Sequence, residues 1–77
     1  MSKSLKVYGW GSYKGNRYMR RVVAAPSKAD AYRVIGHRPE IVETGNAAEI
    51  SAAMTRPGVI FESPGDYAKE KKWTALP

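Results

Sequence analysis

The chain has 77 residues, of which 43% are hydrophobic and 26% charged, with no cysteine and a formal net charge of +6. A chain this short buries only about 60% of its unfolded surface, which predicts one domain spanning 1–77 and argues against a large enclosed active site. The lack of cysteine excludes disulfides and thiolate zinc sites and points to the cytoplasm, while no apolar run reaches the roughly 18 residues of a membrane helix and the start MSKSLKVYGW lacks a signal-peptide core.

In chain order, Met1–Ser4 is polar and expected to be loose. Leu5–Trp10 reads as a strand, Gly11–Asn16 as a six-residue turn rich in residues that tolerate positive φ, and Arg17–Ala25 as the returning strand, where Val22 and Val23 suit a pleated sheet. Pro26 stops that strand. Ser27 then caps a helix through an amide near Asp30, and the helix runs to Ile35 and ends at Gly36. Glu40–Thr44 reads as a short strand. Asn46 caps a second helix, with Glu49 reaching back to its amide, and Pro57-Gly58 ends it after Arg56. Val59–Glu62 is a last strand with Val59 and Phe61 on one face. Residues 63–77 read as a loosely packed end, with a helical turn through Tyr67–Lys72 and Trp73 either frayed or pinned by its indole. The order β-β-α-β-α-β predicts an α+β fold: a two-layer, mostly antiparallel sheet with two helices on one face.

The charge is distributed unevenly. Residues 1–25 carry Lys3, Lys6, Lys14, Arg17, Arg20 and Arg21 with no acid, so the whole positive excess lies in the hairpin. Successive side chains leave a strand on opposite sides. Lys6, Tyr8 and Trp10 therefore share one face, and Tyr18 and Arg20 are assigned to it from the returning strand, leaving Leu5, Val7, Met19 and Val23 for the helices. The candidate partner-binding set is Lys6, Tyr8, Trp10, Tyr13, Lys14, Arg17, Tyr18, Arg20 and Arg21. Tyr, Trp and Arg dominate protein hot spots, and the same groups stack on bases and contact phosphates. The plain alternative is that aromatics are good strand residues and the cations keep the protein soluble. An acidic protein or ribonucleoprotein surface is the leading partner, nucleic acid the runner-up, and a homodimer burying this face a third option.

No enzyme chemistry stands out. His37 is the single histidine, Glu40 and Glu43 fall on opposite faces of their strand, and no serine sits in a nucleophile-elbow setting, so no catalytic, metal or cofactor residue is expected. The glycines of Gly9-Trp10-Gly11 and Gly15 lack the spacing of a phosphate loop.

The segments Lys6–Trp10, Arg21–Ala25 leading into Ser27–Ala31, Glu43–Ile50 and Arg56–Phe61 together resemble a family of small accessory proteins of phages, prophages and other mobile elements. They cover about half of the chain, and the tail after Glu62 has no counterpart. The resemblance implies a non-enzymatic inhibitor that binds a host defence complex, anti-CRISPR-like by class alone. Many anti-CRISPR proteins are acidic mimics of DNA, and the basic hairpin departs from that pattern.

Overall fold

The structure is a computed structural model, and it describes residues 4–64 and 72–76. Two long strands, β1 (Lys6–Lys14) and β2 (Arg17–Ala25), form a hairpin, followed by helix α1 (Lys28–Ile35), strand β3 (Val42–Glu43), helix α2 (Ala47–Thr55) and strands β4 (Phe61–Pro64) and β5 (Thr74–Ala75). The strands make one sheet in the order β3-β1-β2-β4-β5, with every pair antiparallel. The α+β class with an antiparallel sheet and two helices is the expected one.

The hairpin departs from expectation at its turn. Both strands continue to a two-residue turn, Gly15-Asn16, in which Gly15 has φ 65° and Asn16 has no positive φ. A positive φ at only the first central residue is the pattern of a type II′ turn, whose twist matches that of the flanking strands. The turn sets the register: Lys14 lies opposite Arg17 and Lys6 opposite Ala25. Each even-numbered residue of β1 thus shares a face with an odd-numbered residue of β2. Tyr8 and Trp10 lie on the face of Arg21 and Val23, while Tyr18 and Arg20 lie on the other with Gly11 and Val7.

Each face carries one helix. Ser27 caps α1, its hydroxyl accepting from the Asp30 amide at 3.2 Å, and Gly36 closes it at φ 83° with its N–H donating to the Tyr32 carbonyl. Ala31, Tyr32 and Ile35 of α1 pack on Tyr8, Trp10 and Val23. Asn46 caps α2 by accepting from the Glu49 amide at 3.1 Å, whereas its own N–H donates to Thr44 Oγ1. The reciprocal bond expected from the Glu49 carboxylate is not made, because that carboxylate is engaged elsewhere. Ile50 and Ala53 of α2 pack on Val7, Val22, Ala24 and Phe61. The helices therefore divide between the two faces, and the expectation that both cover one face is corrected. Val7 and Val23, expected to lie together under the helices, are both buried but on opposite sides of the sheet, and Leu5 and Met19 are half-buried.

Phe61–Pro64 pairs with Met19–Val22, and Thr74–Ala75 pairs with Phe61–Glu62 beyond it. The last expected strand, Val59–Glu62, is shifted two residues on, so Val59 lies before β4 and packs from the preceding turn against the cluster that holds Phe61, and Trp73 is pinned against that cluster. Thus Ser63–Pro64 and Thr74–Ala75 belong to the sheet, in the stretch expected to be loose. The helical turn expected through Tyr67–Lys72 falls largely outside the described residues.

Candidate functional site at the hairpin tip

Tyr8 and Trp10 are 6% and 3% exposed, and both sit in the core under α1. They are removed from the candidate surface. Aromatic side chains have the largest apolar area to bury, and the register places them on the same face as α1. The indole Nε1 of Trp10 has no hydrogen-bond partner there.

Four of the five cations assigned to a partner lie in ion pairs within the protein, and Lys14 is the most exposed of them. Arg20 Nε donates to Glu49 Oε1 at 2.8 Å, and Arg21 Nε donates to Glu62 Oε2 at 2.8 Å. Lys6 Nζ lies 3.9 Å from Glu43 in an exposed pair. The Arg20 guanidinium lies flat across β1 because Gly9 has no side chain; a Cβ there would sit 2.4 Å from Arg20 Nη2. Gly11 does the same for Tyr18, whose ring occupies the space a Cβ would need at 2.5 Å. A ring laid over a strand glycine covers backbone that would otherwise be bare.

What remains open is the distal third of the hairpin. The cluster under α1 ends at Trp10 on β1 and Val23 on β2, the cluster under α2 at Val7 and Val22, and Gly11–Arg17 beyond them is mostly exposed. Tyr13 is 74% exposed, and its ring meets that of Tyr18 edge-on at 5.6 Å between centroids. On the other side of the ribbon stand Lys14 and Arg17, directly opposed. Lys14, 73% exposed, reaches the buried Glu62 carboxylate at 3.8 Å, a long contact beside the 2.8 Å bond that Glu62 already takes from Arg21, and Arg17 has no ion-pair partner among the described residues. The tip thus carries an aromatic pair on one face and two cations on the other. Of the nine residues read from the sequence, the structure brings together Tyr13, Lys14, Arg17 and Tyr18.

Sequence reading missed an open groove of about 640 Å³ along α1 and the segment after it, lined by Lys28, Tyr32, Arg33, Gly36, His37 and Arg38 among others. Arg38 lies over the Tyr32 ring at 5.7 Å, and Arg33 is 3.5 Å from Asp30. Lys28, Tyr32 and Gly36 recur every four residues, the helical spacing that places them on one stripe. No group of His and acidic side chains able to hold a metal occurs among the described residues, and no helix there is long and apolar enough to cross a membrane. Comparison of the chain with protein-family models, with curated proteins and with solved structures finds no match in any of the three.

Proposed function

We propose that this protein is a non-enzymatic binding module that engages an acidic protein surface through its hairpin tip, with Tyr13 and Tyr18 as contact area and Lys14 and Arg17 for steering. The observation that carries this reading is the tip itself: a ribbon extending past both packed clusters with Tyr13 74% exposed. Amphipathic rings bring much contact area for few rotatable bonds, and exposed cations raise the rate of encounter with an acidic patch. The finer reading is an inhibitor, acting in the cytoplasm, that occludes a host defence complex; it rests on the resemblance of the capping and strand motifs to phage accessory proteins. Affinity capture with the wild type and with the triple variant Tyr13→Ala, Lys14→Glu, Arg17→Glu tests the site. Loss of a specific partner from the variant, with nuclease treatment leaving the wild-type capture intact, supports it. Equal recovery by both proteins removes the tip from consideration.

The groove along α1 favours a second reading, a nucleic-acid-binding protein. Lys28, Arg33 and Arg38 beside the Tyr32 ring offer phosphate contacts and a stacking surface. In that case affinity for oligonucleotides falls steeply with salt, and charge reversal at Lys28 and Arg38 weakens it while the tip variant does not.

A further inference from the structure

The hairpin tip has an unpaired edge as well as exposed side chains. In a strand the N–H and C=O of one residue point to the same side, and alternate residues point to opposite sides. The Thr44 N–H donates to the Val7 carbonyl at 2.9 Å, so Val7 faces β3 and, by alternation, Gly9, Gly11 and Tyr13 do too. β3 pairs only with Tyr8 and Gly9 and stops there. The donors and acceptors of Gly11 and Tyr13 therefore point outward with no backbone partner among the described residues. This stretch of edge carries no proline, and the Tyr18 ring laid over Gly11 covers a face of the ribbon, whereas the outward N–H and C=O groups point along the sheet.

From this geometry we infer that the partner adds an extended segment to β1 at Gly11–Lys14, as a sixth strand beside the tip. The inference rests on the proposed tip site and names its mode of recognition. Backbone pairing of this kind supplies affinity, and alternate side chains supply specificity. The two faces of the tip dictate which side chains fit. Residues of the incoming strand that fall on the Lys14 face meet Lys14 and are acidic; those on the opposite face meet the Tyr13 ring and are apolar or β-branched. The occupant is thus an extended segment that alternates acidic and β-branched residues. A second copy of this chain is disfavoured by charge, since it would bring another hairpin carrying Lys14 and Arg17 to the same edge.

The probe is the blocked heptapeptide Thr-Glu-Val-Glu-Val-Glu-Thr, titrated into isotopically labelled full-length protein and followed by amide NMR, beside a control peptide of the same composition with the three Glu residues contiguous. Strand addition predicts that the Gly11 and Tyr13 amides shift and become protected from hydrogen exchange with the alternating peptide, and that the control binds at least about tenfold more weakly. Tyr13→Ala keeps the outward N–H, whereas Tyr13→Pro removes it at an edge position that tolerates proline. Tyr13→Pro is expected to bind about tenfold more weakly than Tyr13→Ala, the scale of one lost hydrogen bond. The exchange measurement on the wild type stands even if the proline variant fails to fold. Equal binding of the two peptides, or equal affinity of Tyr13→Ala and Tyr13→Pro with both folded, overturns strand addition while leaving a side-chain tip site intact. Absence of binding overturns it also, and the affinity capture above decides the tip site separately. Concentration-dependent shifts of the same amides without peptide assign the edge to a second copy and refute an acidic occupant.

Discussion

The Arg20–Glu49 contact ties α2 to the sheet, and its strength follows from the exposure of its two ends. The Glu49 side chain is 11% exposed and that of Arg20 25%, at a distance of 2.8 Å. Exposed pairs contribute about 0.2–1 kcal/mol, whereas removing one partner of a buried pair costs about 3–5 kcal/mol because the other is left charged and unpaired. This pair lies between those limits and is asymmetric. Arg20→Met strands the more enclosed carboxylate and is expected to cost about 2–3 kcal/mol; Glu49→Met strands a guanidinium on a flexible stem that can swing to water, and is expected to cost about 1–2 kcal/mol. Replacing both removes two charges together, so the double variant loses less than the sum of the singles, with a coupling of about 2 kcal/mol. Urea unfolding with an unchanged slope reads all four proteins. Single effects that add within about 0.5 kcal/mol, or a larger loss for Glu49→Met than for Arg20→Met, would refute the assignment of Arg20 to a structural strut.

Two further predictions separate core from surface. Trp10→Ala removes a ring enclosed by α1 and is expected to cost about 3–5 kcal/mol, whereas Tyr13→Ala changes stability by less than about 0.5 kcal/mol, and thermal unfolding monitored by circular dichroism ranks the two. Ser63 is fully buried with an unpartnered hydroxyl, so Ser63→Ala removes a desolvated polar group and is expected to stabilise by about 1 kcal/mol, or roughly 4–8 °C in melting temperature for a domain of this size. A lower melting temperature for that variant would mean the hydroxyl is bonded.

Local chemistry was the legible part. Ser27, Gly36, Asn46 and Pro57-Gly58 mark helix ends by interactions that operate within a few residues, and the structure has α1 and α2 between them. The faces of the hairpin were not legible, because they depend on a parity that strand patterning does not contain. Residues Lys6, Tyr8 and Trp10 are on one side of β1 under any turn; which residues of β2 join them changes with each residue added to or taken from the loop. Glycines and polar residues from Gly11 to Asn16 look like a six-residue loop, yet Gly9 and Gly11 are strand positions whose missing side chains admit Arg20 and Tyr18. A glycine that makes room for a neighbour and a glycine that makes a turn read alike in one dimension.

The charge pattern misled for a related reason. An acid-free first third suggests a positive surface only if the acids of the remaining chain stay away from it. Here Glu43, Glu49 and Glu62 return on β3, α2 and β4 to meet Lys6, Arg20, Arg21 and Lys14, so the elements that flank the hairpin neutralise much of its charge. Those contacts span sequence separations of 29 and 41 residues for the two arginines, far beyond any pattern of neighbouring residues. The surface that survives is what the flanking elements do not reach. The pairing of β3 with β1 stops at Gly9, the packed clusters reach no further than Trp10 and Val22, and the ribbon beyond them keeps its rings, the Arg17 charge and its unpaired backbone edge. The proposed recognition therefore depends on the lengths of the neighbouring elements, and lengthening β3 to pair with Gly11 and Tyr13 would close the edge without altering a single side chain of the hairpin.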